Sequence, residues 1–230
     1  MKFPALLLKE FRECLPWLLL AGIIFLTIGG FALRAEVYSK PYHWNIADFS
    51  PGKVVNTWPL TQSSHLALTG IWLFFASIGL GLMLGIRQFW VANFTKTWGF
   101  LLHRSAGRGT ILSSKLAAAL IGFLISLGVV WICLYKYACI PELVMMPPGL
   151  RVFIEGWIFI SIGYVIYLGT ALSGLSRAKW YTTKMFGLGY AILAVITAFQ
   201  WSIVMAFVMI AIGVVILLTQ IFSSFFNREF

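Results

Sequence analysis

Residues 185–222 contain no charged side chain, and Gln200, Trp201 and Ser202 break their apolar run near its middle. A stretch this long with so little to offer water must lie in lipid or in a protein core. Two complete helical crossings of a hydrocarbon layer about 30 Å thick need about 40 residues, so the segment is tight for a full hairpin. Either its turn lies at membrane depth, or one arm is short and re-entrant, as backbone buried in protein can be. Residues 17–33, 66–86, 116–135 and 152–175 form further apolar runs. With arms at 185–200 and 202–222, they predict an all-α polytopic membrane protein of six transmembrane helices, a single domain over residues 1–230.

Composition agrees. Of 230 residues, 60% are hydrophobic and only 10% charged, against about 25% charged in an ordinary soluble domain. The formal net charge of +10 would suit nucleic acid if it formed one solvated patch with aromatic residues between the cations. Instead the basic residues sit in short clusters between apolar runs, so no nucleic-acid partner is expected. Alternate connections hold Lys2, Lys9 and Arg12, then Arg87, Lys96, Arg104, Arg108 and Lys115, then Arg177, Lys179 and Lys184, then Arg228; the opposite set has only Arg34, Lys40, Lys53, Lys136 and Arg151. The positive-inside rule then puts both termini in the cytoplasm.

Residues 1–16 place Leu7, Phe11, Cys14 and Leu15 on one helical face, with Lys9, Glu10, Arg12 and Glu13 on the other. This pattern predicts an amphipathic elbow on the membrane surface, bent at Pro16, which lacks a backbone donor. The charged face continues to Glu13 and no small-x-small site follows the apolar run, which argues against a cleaved leader. Residues 34–65 carry Pro41, Pro51 and Pro59 with Tyr42, Trp44, Phe49 and Trp58, the mix of an external lid-like loop or short interfacial helices. Gly79, Gly81 and Gly85 offer a close-packing face on the second span, and the small residues of "LAAALIG" do so on the third.

Acid–base and metal chemistry need clustered ionisable groups, and the chain has seven carboxylates and three histidines. His43, His65 and His103 are dispersed. Cys14, Cys133 and Cys139 lack disulfide or zinc spacing and read as ordinary thiols. Glu10 and Glu13, one turn apart, read as a solvated face pairing with Lys9 and Arg12. Glu155 is the one acid inside an expected span. It could bind a substrate cation or relay protons, or, one turn from the outer end, simply reach the headgroups. The Gly52-Lys53 pair lacks the glycine spacing and the following Ser or Thr of a phosphate-binding loop. No catalytic residue, metal site or bound cofactor is expected, and the chain is not an enzyme by itself; driven transport would take its energy from another subunit.

Residues 87–115 form the second cytoplasmic segment. Trp90, Phe94, Trp98 and Leu101 or Leu102 recur at helical spacing, so the flanking spans should continue as amphipathic helices. Near "HRSAGRGT" the pattern fails, and Gly107 and Gly109 favour a turn. The expected form is helix, turn, helix below the membrane.

The order Thr97, "FLL" at Phe100, Leu101 and Leu102, "HRSAGR" ending at Arg108, "IL" and then Lys115 resembles the coupling segment of ABC-2 type transporter permeases. That family pairs Gly-Thr with a following Leu-Leu, a short segment usually containing Pro and ending in Arg, and a Lys before the third span; Lys96 and Ala106 stand here where Gly and Pro are common. The elbow, the six spans and the length are also similar to that family. The resemblance implies the transmembrane subunit of an ABC exporter in a bacterial or archaeal cytoplasmic membrane. It further implies a dimer with a second permease copy or paralogue, its seam on the first, second and fifth spans, and separate ABC ATPase subunits holding ATP and Mg. On this resemblance Thr97 and Phe100 belong to the coupling segment, Leu101 and Leu102 seat in the ATPase groove, and His103, Arg104 and Arg108 make polar contacts with it. So few charges in the spans suit lipid-like, amphipathic or peptide-like cargo. Two other classes stay open: a secondary carrier or membrane-embedded enzyme using Glu155 with Tyr164 or Tyr167, and a non-transporting assembly subunit of a membrane complex.

Overall fold

The structure is a computed structural model that describes residues 2–38, 65–95, 107–140, 148–176, 185–200 and 202–227. Most of the expected external loop 34–65 and the basic connection 177–184 lie outside these residues. Those described are helices and their caps, with no strand among them. In hydrocarbon a helix is the form in which one segment satisfies its own backbone. Among the described residues five helices are long and apolar enough to cross a membrane, so the protein is a multi-pass membrane protein.

Helix α1 is Lys2–Tyr38. It runs without a break through Pro16, so the expected elbow and first span are one helix. Proline removes one hydrogen bond, to the carbonyl four residues back, and both Arg12 and Pro16 are exposed. The freed carbonyl therefore lies on the outward side. The buried stripe is continuous across the proline: Glu10, Cys14, Leu18, Phe25, Gly29 and Leu33, spaced by four or seven residues. Leu19, Leu20, Ile23, Ile24 and Phe31 point outward, as lipid-facing side chains do.

Helix α2 begins at His65–Gly85, widens into a π-helical stretch, Ile86–Val91, and closes with the α-turn Ala92–Phe94. Helix α3 is Arg108–Phe123, a second π-helical stretch, Leu124–Gly128, and Val129–Ala138. Helix α4 is Leu150–Leu175, α5 is Phe186–Gln200 and α6 is Ile203–Phe226. The 15 residues of α5 extend about 22 Å, less than the hydrocarbon thickness.

Helix α4 is the axis of the bundle, with 89% of its most apolar window buried, against 22% for α1 and α6. Neighbours approach it through small residues, as expected where lipid supplies no hydrophobic drive and close backbone contact must do the work. A side chain at Gly163 would put its Cβ 2.6 Å from the Ser77 carbonyl oxygen of α2. Gly81 faces the Gly163 backbone, and Gly85 packs on Thr170. Gly79, expected on the same face, meets nothing within 4 Å. On the other side of α4, Gly169 and Gly187 bring α5 equally close.

Contact order sets directions. Glu10 meets Lys115, Leu18 meets Gly122, and Gly29 meets Leu134, so α1 and α3 advance together. Helices α2 and α4 are likewise parallel, with Gly70 against Phe159 and Trp90 against Thr170. Phe226 at the end of α6 packs beside Gly109 at the start of α3. The start of α1, the end of α2, the start of α3 and the ends of α4 and α6 therefore share one end of the bundle.

Candidate functional site

The two helices flanking residues 96–106 are both longer than a hydrocarbon core is thick. The stretch Thr69–Phe94 has 26 residues and Arg108–Ala138 has 31, about 39 and 46 Å against a hydrocarbon core of about 30 Å. Of the expected helical continuations, the second span's runs on to Phe94, with Trp98 outside the described residues, and the third span begins at Arg108 rather than near 116. Thr97, Phe100, Leu101, Leu102, His103 and Arg104 lie outside the described residues. Arg108 is the first residue of α3 and is exposed.

Where these two arms leave the bundle, four helices meet at a buried polar junction. Lys115 Nζ of α3 donates to both carboxylate oxygens of Glu10 on α1, at 2.9 and 2.8 Å. Both side chains are about 95% buried, with 6% and 5% exposure. Gln88 of α2 donates through Nε2 to Cys14 Sγ of α1 at 3.1 Å, and its Oε1 accepts from the Tyr167 hydroxyl of α4 at 2.6 Å. Tyr167 also lies 3.4 Å from the Lys115 carbonyl oxygen. A carboxylate and an ammonium taken from water are tolerable only when paired and hydrogen-bonded, and the two-point contact meets that demand.

Local structure explains how these side chains reach inward. The wide π turn lets the consecutive residues Gln88 and Phe89 both face the bundle, and π-bulges of this kind often mark functional positions. Trp90 Nε1 donates to the Thr170 carbonyl at 3.1 Å and Asn93 Nδ2 to the Gly174 carbonyl at 3.3 Å. Gly174 belongs to the last turn of α4, where carbonyls have no donor within the helix, so Asn93 satisfies one of them. The outgoing arm is thereby tied to α4, and the returning arm to α1.

Glu10 corrects the sequence reading. It is not part of a solvated face: Glu13 alone pairs with Lys9, at 3.5 Å and half exposed, while Glu10 turns inward. The signal was the spacing of Glu10, Cys14 and Leu18, which joins the buried stripe of the span only if the helix is unbroken at Pro16. Gln88 and Tyr167 carried no such signal.

Glu155 is buried near the start of α4, and its carboxylate accepts from Arg151 Nε at 3.0 Å, one turn earlier. Tyr164 and Tyr167 lie about 14 and 18 Å farther along the helix axis, and the Tyr167 hydroxyl is bonded to Gln88. The three do not converge. Among the described residues no group of His, Cys, Asp and Glu could hold a metal ion. Compared with protein-family models, curated proteins and solved structures, the chain matches none.

Proposed function

We propose that the protein is the membrane-spanning subunit of an ATP-driven ABC exporter. In this reading it works as a dimer with a second copy or paralogue, in a bacterial or archaeal cytoplasmic membrane with both termini inside. Separate ATPase subunits supply the ATP and Mg chemistry. One observation carries the reading: the helices on either side of residues 96–106 end and begin at the same end of the bundle, and each is rooted there by buried polar bonds in a different helix. A push on residues 96–106 would reach α4 through Trp90, Asn93 and Gln88, and α1 through Lys115 and Glu10. A bundle able to take up work at that end is what a motor beneath it requires, and closure of the ATPases would shift the balance between two packings of the helices. Leu101 and Leu102 are the proposed seat of the motor, with Thr97, Phe100, His103, Arg104 and Arg108 around them.

The test is purification of the full chain with whatever nucleotide-hydrolysing subunit accompanies it, followed by ATP hydrolysis under a screen of lipids and amphipathic drugs. Stimulated hydrolysis is expected, and Leu101→Glu, Leu102→Glu or Arg104→Glu should abolish the stimulation while leaving the basal rate. A chain that purifies alone, or variants with unchanged coupled turnover, would count against the proposal.

A further inference from the structure

The lead of α1, residues 2–15, is attached to the bundle in an unusual way. Between residues 3 and 15 the only buried side chains are Glu10 and Cys14, and each is held by a polar contact, to Lys115 and Gln88. Leu6 and Phe11 pack only partly against the core. Phe3, Leu8 and Leu15 are exposed beside Lys9, Arg12 and Glu13. That amphipathic surface suits the headgroup layer of a membrane as well as it suits the flank of a helix bundle. Directly after the lead stands Pro16, where one helical hydrogen bond is already missing, so opening the helix costs least there.

We infer that the lead of α1 is a strap hinged at Pro16, latched to the bundle by the Glu10–Lys115 ion pair and released onto the membrane surface when that pair opens. The choice of residues fits a reversible latch. Two apolar side chains would hold the helices together at least as well as a buried ion pair. They would not favour separation, whereas a freed carboxylate on the strap regains water, and the long Lys115 side chain can reach toward the interface. The face that then meets lipid is centred on Leu7, Phe11 and Leu15, with Cys14 at its edge and Glu10 beyond it, both within reach of water. The inference concerns only the chain's own helices and does not depend on the exporter reading.

Cys14 reports the state of the strap, because it is 1% exposed when docked. The full chain with Cys133→Ser and Cys139→Ser is placed in lipid bilayers, and the reaction of Cys14 with a water-soluble maleimide is timed. Glu10→Gln and Lys115→Met should each raise the rate at least about tenfold, since labelling follows the open population; Glu13→Gln should not. The exchange Glu10→Lys with Lys115→Glu should restore slow labelling. Adding Pro16→Ala to Glu10→Gln should lower the rate again, because a helix without the proline resists bending at that point. A second measurement separates strap release from loss of the fold: with Cys14→Ser, a Leu18→Cys and Gly122→Cys pair should cross-link in Glu10→Gln as readily as with Glu10 intact. Labelling unchanged by Glu10→Gln, no effect of Pro16→Ala, or loss of the 18–122 cross-link would each overturn the inference.

Discussion

The Tyr167 hydroxyl donates to Gln88 Oε1 at 2.6 Å, joining the middle of α4 to the π-helical end of α2. Both residues are inside the bundle, so the bond cannot be replaced by bulk water. Tyr167→Phe removes the donor and leaves a buried amide oxygen without it, which should destabilise the protein by about 1 kcal/mol, between the modest average for bonds in membranes and the larger cost of an orphaned polar atom. Gln88→Leu with Tyr167→Phe should cost less than the sum of the single changes. Unfolding in mixed micelles, read as a double-mutant cycle, measures both quantities. Strict additivity would mean that the bond contributes nothing.

Close approach of α2 and α4 makes a sharp contrast between two glycines. Gly163→Val places its Cβ 2.6 Å from the Ser77 carbonyl and 2.7 Å from the Ser77 side chain, and backbone cannot yield as a flexible side chain would. Overpacking of this kind costs about 1–3 kcal/mol, and here it should lower the thermal midpoint clearly. Gly79→Ala meets nothing within 4 Å and gains helix propensity, so it should be neutral or stabilising by up to about 1 kcal/mol. Thermal unfolding of both variants in one detergent checks the pair.

At the other end of α4, Arg151 is 57% exposed and Glu155 10%. The pair is lopsided, and the two deletions should differ. Glu155→Gln leaves an exposed cation that water solvates, with a stability change within about 1 kcal/mol. Arg151→Ala leaves the mostly buried carboxylate without this partner and should cost more. Equal losses in thermal unfolding would show that burial of Glu155 does not matter in the folded state.

The helices were largely legible in the sequence. The apolar runs at 66–86, 116–135 and 152–175 all lie within helices, as do residues 87–94 and 108–115, because length and hydropathy report directly on what lipid permits. Where the helix of α1 would stop was not legible. Pro16 and the charges before it suggested a bend, yet the helix stays continuous because its proline lies on the outward side, clear of the packed stripe. The interface glycines were only partly legible: periodicity placed Gly79, Gly81 and Gly85 near one another, and only the neighbouring helix distinguishes the two in contact from the one that is not. The residues proposed for coupling, Thr97 to Arg104, lie outside the described residues.

By itself the sequence determined that this chain forms apolar helices long enough for a membrane, since backbone in hydrocarbon must satisfy its own hydrogen bonds. The tertiary structure decided which polar side chains turn inward and which partners they find. Glu10 and Lys115 are 105 residues apart in the chain, and no local spacing can pair them. Only the parallel docking of α1 and α3 places a carboxylate and an ammonium at one depth, where neither could be buried alone.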